Sequence, residues 1–483
     1  MHSKSNPAQE SVLNSEQAVT AAERGEGFFL VMGIGAGYHI KNLLEVLTKN
    51  SSHGNGTFCI VCVEADAESL DFCMEFSCVK ELADNQNITL CSKDLLSDIL
   101  TEKYVPSMYG NLFILPQRAW QNENKVSFCQ IEDIVRASLK DISDDYSVQA
   151  HFGKIWMSNI LGNLRTFKSN NSINFDTTLT AAVIAAGPSL DDTIKVLKDK
   201  RSSYCIISTD TAYGTLVKTG IIPDITVSVD AQFVSVSHFY GCPSGKGTGT
   251  TFIFDICTNP SAAVYLKGKG HKVFFIQSGH PLSRLASNTA DFPFVETGAG
   301  TVTIACCDIA RLLGFNKIEL FGADFAYSRG KPYTRGTYLE TQFMSSATRI
   351  LPQETRFTAL MYRTSLKQIS GERLACKKAY SSEVLERYQS ALSEWAFKYG
   401  YERNGNLLTG TKACSCRLNN VNKKTFNFMT FMEHWSEELK NRSCMETLLP
   451  YIAFLQTRKY ENIGIFELYN LAYSKVIRYN KWI

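Results

Sequence analysis

Short apolar runs, each closed by a glycine or an acid, alternate with helical patterns along the chain up to about residue 330. In "GFFLVMGIGAGYHIKNLLEVL" the run 28–32 reads as a strand and Gly33, Gly35 and Gly37 as a turn. Ile40, Leu43, Leu44 and Leu47 then mark one helix face. "TFCIVCVEAD" is the next strand, ending at Glu64, and "NITLCS" and "LFILPQ" are two more. Residues 131–167, including "HFGKIWMSNILGNLRTF", are helical, and the polar stretch "KSNNSINFDTT" breaks the pattern. A second strand–turn–helix starts at "LTAAVIAAGPSLDDTIKVLKD". The strands "SYCIIST", "DITVSVD", "TFIFDI", "KVFFIQS" and "KIELFGAD" follow it. Such alternation predicts parallel, doubly wound sheets.

Beyond about Gly330 the pattern turns mostly helical. Leu385, Tyr388, Leu392 and Trp395 recur at three- and four-residue steps, and the segments after residue 425 read as further helices. The chain thus divides into a polar leader (1–26), either mobile or a short helix, and an N-terminal Rossmann-like domain (27–130). A helical connector and linker (131–175), a central α/β domain (176–413) and a helical C-terminal region (414–483) follow.

The chain's 483 residues exceed one ordinary core, and 44% hydrophobic content fits a globular protein. Lys+Arg at 50 against Asp+Glu at 47 gives no global argument for nucleic acid. No apolar run approaches the roughly 18 residues of a membrane span, and no signal core opens the chain, so a cytoplasmic location is expected. The 15 cysteines are scattered. Cys59 and Cys62 sit three apart in a strand, on opposite faces, which argues for buried thiols rather than a zinc pair.

Four groups of residues could carry chemistry. Gly33, Gly35 and Gly37, with Glu64 ending the next strand, have the layout of a nucleotide site, and a ligand-free tight turn fits equally. "GCPSGKGT" looks like a phosphate loop but lacks the spacing before Lys246 and has Gly247 for the hydroxyl residue, so it reads as a surface loop. Gly187, Pro188 and Ser189 open a helix with Asp191 and Asp192 in its first turn. Asp210, Asp230, Asp255 and Asp324 end strands of the same sheet and Asp224 precedes one, so several should converge on a rim, although each alone could be a cap. Thr297, Gly298, Gly300 and Thr301 lead into the helix "VTIACCDIARLL", where free N–H groups and the helix dipole suit an anion beside Asp324 and Tyr327. Close packing through glycine is the alternative.

Taken in order, "AAGPSLDD", "STDTAY", "GIIPDITVSVD", "ETGAGTVTIACCDIARLLGFNKIELFGADFAY" and "NGNLLTGT" resemble the motility accessory factor family of flagellin glycosyltransferases. Its central domain is shared with 6-hydroxymethylpterin diphosphokinases of the MptE type. "GFFLVMGIGAGYHI" with "VEAD" resembles that family's N-terminal domain, and "IWMSNILGNL" its joining helix. The central domain is also similar to bacterial sialyltransferases. Their "GNG" asparagine is Ala186 here, and no histidine follows the Asp324 strand end until His434, so their base has no counterpart there.

The resemblance implies transfer of a nonulosonic acid from its CMP form to flagellin Ser or Thr. Gly187, Pro188, Ser189, Asp210 and Gly322 would hold the nucleotide. The turn 297–301 with Tyr327 and Tyr333 would meet the leaving phosphate. Asp230 or Asp324 would take the acceptor's proton. No metal is required; if magnesium is used, Asp224, Asp230 and Asp324 are the ligands implied. The rivals are pyrophosphoryl transfer from ATP to a pterin, and a non-catalytic nucleotide-binding flagellin accessory protein. The expected partners are the activated sugar and flagellin, with no nucleic acid. The aromatics after Thr425 suit either a helical core or a flagellin-binding surface.

Overall fold

The computed structural model describes residues 7–54, 58–170, 172–245, 249–298, 300–370, 378–410, 418, 425–458 and 463–481. Ala299, the loop residues Lys246, Gly247 and Thr248, Trp482 and the expected boundary at 413/414 lie outside them. The chain forms two compact units. One comprises Met1–Lys154 and His434–Ile483, the other Ile155–Glu433.

In the first unit, β1 (Phe28–Met32), β2 (Cys59–Glu64), β3 (Ile88–Ser92) and β4 (Leu112–Pro116) form a parallel sheet in the order β3-β2-β1-β4. Each face carries its own apolar cluster, and Cys62 lies in one and Cys59 in the other, as their spacing predicts. Within the polar leader the helix Pro7–Glu23 buries Ala18 and Ala21 in the first of these clusters. The C-terminal region divides, since residues from His434 join this unit. A Cβ on Gly153 would stand 2.9 Å from the Tyr451 nitrogen, so glycine lets the long helix Lys125–Thr166 lie against that segment. Trp435, Tyr451 and Tyr469 are buried, and Trp435 Nε1 donates to Thr447 Oγ1 at 2.9 Å. These three aromatics are therefore bundle core.

The second unit is built on an eight-stranded sheet. Its parallel part comprises β5 (Thr180–Ile184), β6 (Tyr204–Thr209), β7 (Ile225–Ser228), β8 (Thr251–Asp255), β9 (Lys272–Ile276) and β10 (Lys317–Phe321). After β10 come three short strands, β11 (Tyr327–Ser328), β12 (Lys367–Ile369) and β13 (Ala379–Ser381), which form a separate antiparallel sheet. The hairpin β14 (Tyr401–Asn404) and β15 (Leu407–Gly410) completes the large sheet, giving the order β14-β15-β10-β5-β6-β7-β8-β9. The region after Gly330 thus holds strands that the helical pattern did not predict. Asn170 closes the free edge of β9: its amide donates to Phe275 O at 2.7 Å and accepts from Phe275 N at 2.9 Å. Asn159 and Asn163, one helical turn apart, bind four carbonyls just past β7 and β8, those of Ala231, Cys257, Ile256 and Thr258, at 2.8–2.9 Å.

Candidate functional site

From β5 the chain steps outward to β9 and then returns to β10 on β5's other side, so the sheet's topological switch point lies between β5 and β10. Gly187 N donates to Gly322 O at 2.8 Å there, and a Cβ on Gly187 would collide with that oxygen and lie 2.6 Å from Asp324 Cγ. Pro188 continues this turn, its carbonyl accepting from Asp191 N at 3.3 Å. The buried Asp324 carboxylate accepts from Ser189 N at 2.8 Å and from the Ser189 hydroxyl. It thereby caps the entry to the helix Leu190–Asp199. Phe325, next in the chain, has φ 47°, a left-handed conformation that a bulky residue adopts only under constraint.

Asp210 and Asp230 follow β6 and β7. The buried Asp210 accepts from Thr211 N at 2.6 Å and Ser228 Oγ at 2.6 Å. Asp230 accepts from Gln232 N at 2.9 Å. Burial first, and then the neighbouring Asp210 charge, raise the Asp230 pKa from its ordinary value, while Gln232 N–H and His238 oppose the rise. The Tyr338 phenol is raised by burial and then by the charges of Asp230 and Asp210. Asp255 is fully buried at the end of β8 and accepts from Cys257 N at 2.6 Å.

Asp224 does not reach the rim expected for it. It precedes β7, whereas Asp230 follows it, so the strand separates them by about 3.3 Å per residue. At that amino edge Asp224 binds Arg201 at 2.9 Å and Ile206 N at 2.7 Å. It cannot share a magnesium ion with Asp230 and Asp324. Among the described residues no three His, Cys, Asp or Glu side chains converge as metal ligands.

Asp191 and Asp192 hold the loop that carries Tyr333. Asp192 takes the Arg329 guanidinium at 2.9 and 2.7 Å, and Asp191 accepts from Arg335 N at 3.0 Å and the Thr334 hydroxyl. Tyr327 and Tyr333 come together in this loop region, since each phenol feels the other residues Arg363 and Tyr388. Burial raises both phenols, and crowding pushes Tyr333 to about 12 although the residue keeps 36% of its surface open. Tyr338 also acts on Tyr333, which links the tyrosines electrostatically to the Asp210–Asp230 pair.

The turn 297–301 enters the helix Val302–Leu313 as expected, with Gly298 and Gly300 at φ +55° and +85°. Its N–H groups are only partly free. Gly300 N and Thr301 N donate to Thr297 O at 3.1 and 3.2 Å, and Thr303 N is capped by Thr301 Oγ1 at 3.4 Å. The buried Asp308 fixes this entry: it accepts from Glu296 N at 2.9 Å, Arg311 Nε at 2.7 Å and Trp395 Nε1 at 3.0 Å. A cleft of about 410 Å³ opens beside Gly298, lined by Arg387, Ser390, Glu394 and Lys398 of the helix Glu383–Lys398.

In the N-terminal unit the glycine turn packs against the protein's own side chains. A Cβ on Gly33 would lie 2.7 Å from Trp120 Cβ, and one on Gly37 2.9 Å from Val79 Cγ2. Only Gly35 has room, with Gln117 at 3.9 Å. Glu64 is buried, its Oε1 met by Cys73 Sγ at 3.8 Å. Burial raises its pKa. The tight turn with close packing describes this region better than the nucleotide site does.

His238 escaped the sequence reading. It lies in the 3-10 segment Phe233–Phe239, its ring centroid 4.4 Å from that of Tyr338, and its Nδ1 is buried without a hydrogen-bond partner. No spacing links it to the strand-end aspartates; only the return of that segment to the rim does.

The family described as 6-hydroxymethylpterin diphosphokinase MptE-like matches residues 157–330. An uncharacterized protein of Treponema pallidum (strain Nichols) is 33% identical over 235 residues, 48% of this chain and 77% of that protein. The chain carries an MptE-like domain and belongs to that family. A second uncharacterized Treponema pallidum protein is 34% identical over 146 residues, 30% of this chain and 70% of the other. Among solved structures, the Maf glycosyltransferase from Magnetospirillum magneticum AMB-1 matches with a TM-score of 0.50 and 15% identity, over 98% of this chain and 78% of that one. That likeness gives the MptE-like domain and its flanking units a Maf-type fold. No described helix is long and apolar enough to cross a membrane.

Proposed function

We propose that this protein is a glycosyltransferase that moves a nonulosonic acid from its CMP form to Ser or Thr of flagellin, in the cytoplasm. The observation that carries the reading is the convergence at one sheet edge of a switch-point turn, an acidic pair and a tyrosine cluster. The turn at Gly187, Ser189 and Gly322 holds the nucleotide, and Asp324 keeps that turn in shape rather than taking a proton. Tyr327 and Tyr333, with the 297–301 turn at the positive end of its helix, meet the charge that grows on the phosphate as the glycosidic bond breaks. Asp230, raised by burial, supplies the negative charge that draws the acceptor's proton. No metal is needed for these steps. Incubation with CMP-activated nonulosonates and flagellin tests the reading through acceptor-dependent CMP release.

One observation favours a second reading, pyrophosphoryl transfer to a pterin: the MptE-like family carries the name of a diphosphokinase. That chemistry calls for magnesium on carboxylates. With Asp224 on the far edge and Asp324 bonded to Ser189, Asp210 and Asp230 are left to hold it.

A further inference from the structure

Buried polar atoms are rarely left without partners, and an unmatched one inside a site calls for an explanation. His238 Nδ1 is such an atom. Its surroundings are built from several segments. A Cβ on Gly214, in the helix Asp210–Lys218, would touch Gly336 O at 3.3 Å and His238 O at 4.0 Å. The helix led by Asp210, the 3-10 segment and the stretch leading to Tyr338 therefore meet at one point. Ser235 Oγ donates to Gln232 O at 2.7 Å and reaches Asp230 O at 3.5 Å, which folds the segment back toward Asp230. The Tyr338 ring stands edge-on to the imidazole at 85° and limits its rotation.

We propose that His238 is the catalytic base of the transfer, its Nε2 accepting the acceptor hydroxyl's proton while the negative charge of Asp230, on the same rim, favours the imidazolium. This rests on the glycosyltransferase reading. The acceptor oxygen bonds to the anomeric carbon as its own proton passes to Nε2. The bond from that carbon to the phosphate oxygen breaks, and its electron pair leaves with CMP. The proton on Nε2 then passes to solvent, and no oxidant, reductant or further co-reactant enters. The neutral ring needs a proton on Nδ1 for this role, and the orphaned nitrogen is the one that would carry it. A neutral histidine that takes the proton on its free nitrogen is a recurrent solution to activating a hydroxyl.

The test compares full-length wild type, His238→Gln and His238→Ala in the CMP-release assay with flagellin. CMP binding by calorimetry controls for folding. The expected result is a kcat lower by about 100- to 10,000-fold in both variants, with donor KM and CMP affinity within about threefold of wild type. Added imidazole should restore His238→Ala by at least about tenfold and leave His238→Gln unchanged, which a structural role would not do. Wild-type transfer with either variant within about threefold of it would overturn the role of His238 alone. A wild type that releases no CMP from any nonulosonate donor would overturn the glycosyltransferase reading, and this inference with it.

Discussion

Asp308 joins three donors in a dry interior, and replacing it by Asn is the perturbation whose cost the structure defines best. The carboxylate is fully buried, and Arg311 is only 16% exposed. Oδ2 receives Glu296 N, while Oδ1 receives Arg311 Nε and Trp395 Nε1. Asn keeps the shape but has one acceptor oxygen. Whichever way its amide turns, its NH₂ faces a buried N–H. A buried donor left unmatched costs about 1–3 kcal/mol, and breaking a buried charge pair about 3–5 kcal/mol. Because these losses share one site we expect about 3–5 kcal/mol in all. For a unit of this size that lowers Tm by about 6–10 °C, at roughly 2 °C per kcal/mol. Calorimetry on the full chain reads the transition of the unit Ile155–Glu433 against that of the other unit. A drop below about 2 °C would refute the reading of Asp308 as the anchor of the 297–301 turn.

Three further outcomes follow from the geometry. Burial raises the Glu64 pKa in the folded state, so its ionisation costs stability above that pKa and none below the unfolded value of 4.5. Glu64→Gln should therefore raise Tm at pH 8 and leave it within about 1 °C at pH 4, and an equal change at both would count against it. Trp120→Ala removes the side chain that fills the N-terminal glycine turn, and should cost about 3–5 kcal/mol in denaturant melts while leaving CMP affinity unchanged; a loss of CMP binding would return that turn to the nucleotide site. His280 is held neutral by burial, its pKa lowered to about 3, so its contribution is present above the unfolded 6.5 and is lost as pH falls below it. His280→Asn keeps the cap on Leu282 N and should flatten the fall in Tm between pH 7.5 and 5; a fall as steep as wild type's would contradict this assignment.

Strands such as β5, β6 and β8 were legible because each is a mostly apolar run, the pattern of strands buried on both faces. The hairpin β14–β15 was not read as strands: "YERN" is polar, as an edge strand allows, although the Asn404–Gly405 turn, with Gly405 at φ +61°, carries a hairpin signal. Strands of two and three residues such as β11 and β13 are too short for any periodicity. The switch-point pair of Ser189 and Asp324 follows from strand order, because parallel strands deliver their ends to one edge. The same logic separates Asp224 from Asp230, which flank a single strand and so face opposite edges. What local sequence could not carry was tertiary. Trp120 reaches Gly33 from far along the chain, and His238 reaches Tyr338 across a hundred residues, marked by no motif. Glycine at a strand end signals a close approach, and only the fold tells whether a ligand or a tryptophan makes it.

Nucleotide product analysis tests the central claim most directly. The purified full-length protein is given CMP-activated nonulosonates with flagellin, and separately ATP, magnesium and 6-hydroxymethylpterin. The expected result is CMP release that requires flagellin, a matching mass gain on flagellin, and loss of both in Asp230→Asn. AMP formation with the pterin and no CMP release from any donor would contradict it.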